Sequence, residues 1–216
     1  EAAQAVIDNA EATAEDKTAA TATLSKSAIL LNDIAVNPAQ ISDAGGWNGI
    51  NAANYTGTIN GNGYQISGLP TSLFDKTGAS FRGLHIAVNY TQTTKVNAGT
   101  FANVIEGLNE TPAFFEHCSA SGTITISNNT TTTTAFADNC IGGFVGMASG
   151  VDFKNCVNNV DIVLDQISKA GQSSTMSMAT GGFAGYTNVS ETNHFVSFYN
   201  CTNNGDLICS DTTCKT

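Results

Sequence analysis

The sequence predicts an all-β fold in which short strands wind into the successive coils of a solenoid. One observation is an internal repeat: residues 142–162 read GGFVGMASGVDFKNCVNNVDI, and residues 181–208 read GGFAGYTNVSETNHFVSFYNCTNNGDLI. Both copies have Gly-Gly-Phe, then aromatic-x-Asn-Cys, then Asn-Asn and an acidic residue before aliphatics. The second observation is residues 55–69, YTGTINGNGYQISGL, where strands of about four residues alternate with Gly and Asn corners. Such strands are too short for the hairpins of a sandwich.

The first part of the chain, residues 1–23, is rich in Ala and Glu and has a thin apolar stripe at roughly helical spacing. The stripe comprises Ala3, Val6, Ile7, Ala10 and Ala14. It predicts either a weakly packed helix that caps the core or an arm that orders against another molecule. Residues 24–208 are the predicted solenoid, and residues 209–216 are a C-terminal tail.

Alignment of the later segments predicts three strands in each coil, with insertions that leave the core as loops. The first strand of each coil begins at Leu73, Thr100, Phe144 and Phe183. The second has an aromatic residue three places before Leu or Cys and begins at Phe81, Phe115, Phe153 and Phe198. The third begins at Ile86, Ile124, Ile162 and Leu207.

Equivalent strands in such a fold pair in parallel about 4.8 Å apart, so that like residues stack in columns. The expected columns include Phe153 with Phe198 and Cys156 with Cys201. We expect the pairs Asn158-Asn159 and Asn203-Asn204 to turn the corners, because Asn tolerates left-handed backbone. Five or six coils would give a core on the order of 25–30 Å long.

The charge composition argues against two classes of partner. The net charge is −10, and the 8 basic residues include a single arginine, Arg82. A phosphate-binding surface needs clustered Lys and Arg, so we expect neither a nucleic-acid partner nor an anionic membrane partner. We also expect no membrane insertion, since no apolar run approaches the roughly 20 residues of a spanning helix.

Secretion is the expected localisation, extracellular or at the cell surface. The chain starts at Glu1 without methionine, which suggests that an upstream segment such as a signal peptide has been removed or is not shown. The 6 cysteines are an even count, as in disulfide-containing secreted proteins. Seven glycosylation sequons slightly exceed the roughly five expected by chance. They are Asn54, Asn89, Asn109, Asn128, Asn129, Asn188 and Asn200.

The cysteines are interpreted as structural, with open connectivity. Cys118, Cys156 and Cys201 fall at one repeat position, where in-register neighbours lie near the edge of disulfide geometry. They are expected either to be buried thiols or to pair out of register with Cys140 or a C-terminal cysteine. Cys209 and Cys214 are candidates for a local bridge that closes the last coil.

The segment 55–69, followed by Leu73-Phe74 and by SFRGLHI at residues 80–86, resembles the entry coils of secreted right-handed parallel β-helix proteins. The GGFVG and GGFAG units resemble the GLUG-type repeats that accompany such coils in microbial surface proteins and adhesins. The resemblance covers about residues 24–208 and implies a right-handed parallel β-helix. Its motifs are structural and bring no catalytic residues. The unit of Cys118 lacks GGF, and NNTTTTT at residues 128–134 has no counterpart in the repeat.

The sequence offers no pattern for a metal or cofactor. The three histidines are scattered, and there is no Cys-x-x-Cys pair or calcium loop. A carbohydrate-active enzyme needs two nearby carboxylates, for which Glu116, Asp152 and Asp161 are the candidates. Arg82 and the nearby His85 are the groups that could bind an acidic sugar. Catalysis is therefore an alternative, and no catalytic residue is assigned.

The expected function is that of a non-enzymatic extracellular glycoprotein, a structural or adhesive surface element. Because a solenoid has open edges at both ends, we expect self-association, with end-to-end filaments as one form. The alternatives are a carbohydrate-active β-helix enzyme, either a polysaccharide lyase or a hydrolase, and a glycan-binding module. The repeat indicates a scaffold, which directs the search for function to residues 1–23, 128–134 and 209–216.

Overall fold

The computed structural model describes residues 13–17, 19, 25–37, 47–93, 97–107, 112–127, 139–165, 178–188 and 195–209. These residues are almost entirely β-structure, as the sequence predicts. A helical turn covers residues 14–17, where Thr13 Oγ1 accepts a hydrogen bond from the Asp16 amide and donates one to the Asp16 carboxylate. Most of the predicted arm at residues 1–23 and of the tail at residues 209–216 lies outside the described residues.

The described residues form short strands, none longer than nine residues. In chain order the strands are β1 (Ala28–Ile29), β2 (Ile34–Ala35), β3 (Ile50–Ala52), β4 (Thr58–Asn60), β5 (Gln65–Leu69), β6 (Phe74–Thr77), β7 (Ser80–Arg82), β8 (His85–Gln92), β9 (Ala102–Glu106), β10 (Ala113–Glu116), β11 (Ser119–Ser127), β12 (Cys140–Gly142), β13 (Val145–Ser149), β14 (Val151–Lys154), β15 (Val157–Asp165), β16 (Ala179–Gly181), β17 (Ala184–Thr187), β18 (Ser197–Tyr199), β19 (Thr202–Asn203) and β20 (Leu207–Cys209).

Three parallel sheets hold most of these strands. Sheet A has the order β1-β4-β7-β10-β14-β18, and sheet C has the order β3-β6-β9-β13-β17. Sheet B has the order β2-β5-β8-β11-β15-β19, with β20 also paired to β15. The chain visits the sheets in turn, and each visit adds a strand beside the previous one. All pairings between the described strands are parallel, including the short β12-β16 pair.

Stacked phenylalanine rings fill the core beside sheet A. Their register is as predicted, and the column comprises Phe81, Phe115, Phe153 and Phe198. Successive ring centroids lie 4.9, 4.8 and 4.9 Å apart, with interplanar angles of 14°, 1° and 7°. This spacing matches the distance between paired strands. A second column of Phe101, Phe144 and Phe183 packs edge-on against the first.

The register of sheet B confirms one predicted alignment and corrects another. His85, Ser119, Val157 and Thr202 pair in succession, so the residues before them share a column. That column is Leu84, Cys118, Cys156 and Cys201. In the third predicted strand, Ile124 does pair with Ile162, and Ile162 with Leu207. Ile86 instead pairs with Ala120, and Tyr90 lies beside Ile124.

The expectation that the Asn-Asn pairs turn the corners is wrong. Asn158 and Asn159 lie inside β15, and Asn203 lies in β19. The corners fall a few residues earlier, at left-handed residues that directly follow β7, β10, β14 and β18. These are Gly83, His117, Asn155 and Asn200, with φ of 52°, 53°, 53° and 50°. The repeated Asn before Cys is therefore the corner residue, since Asn tolerates this backbone better than most side chains.

The Asn-Asn pair has a different structural role, in which its first member is a buried amide. Asn158 Nδ2 donates to Asn203 Oδ1 at 2.7 Å, and Asn158 Oδ1 accepts from the Val160 amide at 3.3 Å. A Cβ atom on Gly143 would lie only 2.2 Å from Asn158 Oδ1. The Gly-Gly-Phe and Asn-Asn parts of the repeat therefore contact each other, because the second glycine leaves room for the amide.

Candidate functional site

One groove of the described residues lies on the outward face of sheet A. Alternate residues of β10 and β14 point into the core, where Phe115 and Phe153 are fully buried. The intervening side chains point outward and, together with one from β7, line a cavity of about 280 Å³. The groove is lined by Arg82, Pro112, Phe114, Glu116, Asp152 and Lys154.

Two ion pairs organise the charges in this groove. Arg82 Nε donates to Glu116 Oε2 at 2.7 Å, and Lys154 Nζ lies 3.9 Å from Asp152 Oδ2. The guanidinium carbon of Arg82 also lies 5.6 Å from the ring centroid of Phe114, in cation–π range. These side chains are partly exposed, and ion pairs of this kind stabilise a fold by only about 0–1 kcal/mol. What they provide chemically is a set of fixed donors and acceptors beside an aromatic ring.

The groove contains some of the predicted site residues and omits others. Glu116 and Asp152 both line it, as does Arg82. Asp161 lies on β15 in sheet B, where its Oδ1 accepts a hydrogen bond from the Asp206 amide at 2.9 Å. His85 lies on β8, with its Nδ1 2.7 Å from Ser119 Oγ. The groove therefore brings together two of the three candidate carboxylates with Arg82, whereas Asp161 and His85 lie on sheet B.

Sequence reasoning missed Phe114 and Lys154 as groove residues. Phe114 pairs with Asp152 across sheet A, and Glu116 pairs with Lys154. Once Phe115 and Phe153 are aligned in the core, strand alternation sends the residues on either side of each to the outer face. That signal is present in FFE and DFK of the sequence.

Three cysteines form a column of free thiols rather than disulfides. Cys118, Cys156 and Cys201 all remain unbridged, which is one of the two predicted alternatives. Burial raises the pKa of the Cys118 and Cys201 thiols. The hydrogen bond with Cys118 lowers the pKa of Cys156. The three thiols thus occupy neighbouring positions of one column, in which Cys118 and Cys156 are buried and Cys201 is partly buried.

The other cysteines lie apart from this column. Cys140 is buried in β12 and keeps its thiol. Cys209 ends β20 and is not one of the free thiols, while Cys214 lies outside the described residues. The bridge between these two remains a prediction. No group of three or more His, Cys, Asp or Glu side chains in the described ranges could hold a metal ion.

Four of the predicted glycosylation asparagines lie in the described residues, and all four are exposed. They are Asn54, Asn89, Asn188 and Asn200. The side chain of Asn200 is engaged within the fold: its Nδ2, the atom that a glycan would modify, donates to Asn155 Oδ1 at 2.8 Å. The sequons at Asn109, Asn128 and Asn129 lie outside the described residues, as does the insertion at residues 128–134.

Comparison of the chain with protein-family models, with curated proteins and with solved structures found no match. Within the described residues, no helix has the length and apolar character needed to cross a membrane. The groove, the thiol column and the exposed asparagines are thus the features from which function has to be argued.

Proposed function

We propose that the three sheets are the faces of a right-handed parallel β-helix, and that the protein is a non-enzymatic extracellular glycoprotein. Its role would be that of a structural or adhesive surface element that associates with itself. The strand order supports the β-helix, because the chain moves from sheet A to sheet B to sheet C and returns one strand further along. The constant register of the Phe and Cys columns supports it as well.

The scaffold role is supported by one observation: the residues that recur in the repeat pack the core or turn the backbone. Gly143 makes room for the amide of Asn158, and Phe153 and Cys156 are fully buried. Asn155 turns a corner with left-handed backbone. The internal repeat therefore encodes a stack of layers. Its Gly, Phe, Cys and Asn positions serve the fold and are not presented to a substrate. A surface element needs such a rigid, extended body.

Secretion and glycosylation are tested by expressing the chain behind a signal peptide in a host that attaches N-glycans. We expect glycopeptide mass spectrometry to find modification at Asn54, Asn89 and Asn188, which are exposed. Occupancy at Asn200 is expected to be lower than at Asn89 and Asn188, because the Nδ2 of Asn200 is engaged within the fold. A secreted protein with bare asparagines would remove the glycoprotein part of the proposal. A chain that stays monomeric and binds no glycan or protein surface would remove the structural part.

The groove favours a second candidate function, that of a saccharide-binding module. Sugars present hydroxyl groups on their edges and C–H groups on their faces, and binding sites match these with fixed polar groups and aromatic rings. The groove has both, in the paired charges of Arg82, Glu116, Asp152 and Lys154 and in the ring of Phe114. Its lining residues come from three neighbouring strands, β7, β10 and β14, which suits a chain of sugars that crosses the strands.

A glycan array followed by titration calorimetry tests this candidate. We expect Phe114→Ala and Glu116→Gln each to weaken saccharide binding at least about tenfold, which corresponds to about 1.4 kcal/mol of binding free energy. Asn159→Ala is the matched control, because it changes an exposed residue of sheet B away from the groove. Binding that is unaffected by both groove variants would exclude this site. Cleavage of the bound saccharide would instead favour the carbohydrate-active enzyme.

A further inference from the structure

The large apolar side chains that the described residues expose are confined to the first and last strands of the sheets and their flanking residues. One group, which we call the N-terminal end face, lies on or beside β1, β2 and β3. It comprises Ile29, Leu31, Ile34 and Ile50. The other group, the C-terminal end face, lies on or beside β17, β18 and β20. It comprises Tyr186, Phe195, Phe198, Tyr199, Leu207 and Ile208.

Comparison within single columns shows that part of this exposure comes from the lack of a further layer. Phe198 is 49% exposed, whereas Phe153 one strand earlier in the same column is 0% exposed. Leu207 is 55% exposed, against 3% for its neighbour Ile162. The N-terminal end shows the same difference, since Ile34 is 45% exposed and its paired neighbour Ile66 is 6% exposed. These side chains have core positions without a complete core around them.

The outermost strands at both ends also have one edge with which no described strand pairs. In the described part of the chain, no strand pairs with the outer edges of β1, β2 and β3 or of β17, β18 and β19. Such an edge presents N–H and C=O groups that favour pairing with another strand. The two ends belong to the same three sheets, with strands running in the same direction. Each end is therefore shaped to continue the other.

We infer that a second copy of this chain stacks on the C-terminal end face through its own N-terminal end face. If the register of sheet A continues across the junction, Phe198 of one copy meets Ala28 of the next. In sheet C, the small Ala184 meets the larger Ile50. Large residues thus face small ones in both sheets, as packing of a dense interface requires.

This inference rests on the proposed self-association and assigns it to particular surfaces. A contact between two different faces does not close on itself, so repetition of it builds a filament. A contact between two C-terminal end faces would instead be a closed dimer, with Phe198 against its own copy. The two arrangements predict different effects for a substitution at each end. Substitutions at the two ends therefore distinguish them.

The experiment uses one charged substitution at each end. Phe198→Asp disables the C-terminal end face and Ile34→Asp disables the N-terminal one, because an unpaired buried carboxylate is strongly unfavourable in an interface. Thr125→Asp is the control, because it introduces the same charge on the outer face of β11, in the middle of sheet B and away from both end faces. Circular dichroism and thermal unfolding first establish that each variant retains the fold. Both end residues are already about half exposed, so each substitution is expected to cost less stability than the same substitution in an interior layer.

Analytical ultracentrifugation then gives the assembly state over a range of concentrations. We expect the wild-type chain and Thr125→Asp to form extending oligomers, and each end variant alone to be at least about tenfold weaker in association. An equimolar mixture of the two end variants restores one intact junction. It should give a species of twice the 22.3 kDa chain mass that does not grow further.

Three results would overturn the inference. Dimers of Ile34→Asp alone would indicate contact between C-terminal end faces. Wild-type oligomers that both end variants leave intact would assign self-association to another surface, and the proposed function would survive. A wild-type chain that remains monomeric at all concentrations while retaining its β-sheet content would also overturn the end-face contact, but it would not bear on secretion, glycosylation or adhesion.

Discussion

The rings of Phe153 and Phe198 stack with their centroids 4.9 Å apart and their planes within 7° of each other, although one ring is buried and the other is half exposed. Phe153 has a second stacked neighbour, Phe115, at 4.8 Å, and Phe198 is the last ring of the column. Two chemically identical positions of the repeat thus differ only in the presence of a following layer. This difference allows several matched comparisons within one chain.

The first comparison concerns the phenylalanine column itself. Phe115→Ala removes a ring that is stacked on both faces, and we expect a loss of about 3–5 kcal/mol in the free energy of unfolding. Phe198→Ala should lose less than about half as much, because part of that ring is already in water. Urea or guanidinium titration measures both values. Equal losses would contradict the stacked arrangement.

The glycines of the repeat give a second matched pair. A Cβ atom on Gly143 would lie 2.3 Å from the backbone oxygen of Gly182, which cannot move aside, as well as against Asn158. The three atoms nearest to a Cβ atom on Gly182 would all belong to the side chain of Asn203, which is exposed. We expect Gly143→Ala to destabilise by about 1–3 kcal/mol and Gly182→Ala by less than about 1 kcal/mol. The reverse order in thermal or denaturant unfolding would refute this contact.

The corner at Asn155 gives a prediction about backbone conformation. Its φ of 53° is tolerated by Gly and Asn but strained for a β-branched residue. Asn155→Val should therefore be about 1–3 kcal/mol less stable than Asn155→Gly, although both variants lose the hydrogen bonds of the amide. Gly83 occupies the equivalent corner after β7, which makes glycine the natural control. Equal stability of the two variants would show that this corner is not left-handed.

Because the phenol of Tyr90 is buried, we expect the protein to lose stability at alkaline pH. Burial raises the pKa of its phenol above the ordinary value of 10.0, and its hydroxyl donates to the Gly99 carbonyl at 3.2 Å. Above pH 10 the unfolded chain releases this proton while the folded chain retains it, so the free energy of unfolding falls as the pH rises. The fall from this group is at most about 1.4 kcal/mol per pH unit.

Tyr90→Phe removes the titrating group and should make that decline shallower. Its stability at neutral pH is expected to drop by about 1 kcal/mol, because the hydrogen bond to Gly99 is lost. Denaturant titrations of both proteins between pH 8 and pH 11 measure the two slopes. Parallel slopes above pH 10 would mean that this phenol is accessible to water in the folded state.

The sequence predicted the core columns because their spacing is regular. The aromatic residue three places before Leu or Cys fixes both the Phe column and the column of Leu84 and the three cysteines, and the structure has this register. The corners were misplaced, because both Asn155 and the Asn-Asn pair fit a turn by composition. Only tertiary packing distinguishes them, since Asn158 needs Asn203 from the next layer as a partner.

Two other features depend on contacts that a linear reading does not show. Ile86 was aligned with Ile124 by similarity, but the corner before β8 and β11 sets the register and pairs Ile86 with Ala120. In the groove, Arg82 and Glu116 are 34 positions apart and meet only because β7 and β10 are neighbours. Insertions of unequal length between the strands hide that proximity in the sequence.

The central claim is that successive strands of each sheet stack in register as neighbouring layers. Ring-to-ring nuclear Overhauser contacts in phenylalanine-labelled protein test it most directly, with each ring assigned by single Phe→Leu variants. The account predicts contacts for Phe81 with Phe115, for Phe115 with Phe153 and for Phe153 with Phe198. Rings two layers apart are about 10 Å from each other and should show none. A contact between Phe81 and Phe198, or the absence of the three neighbouring contacts, would contradict the account.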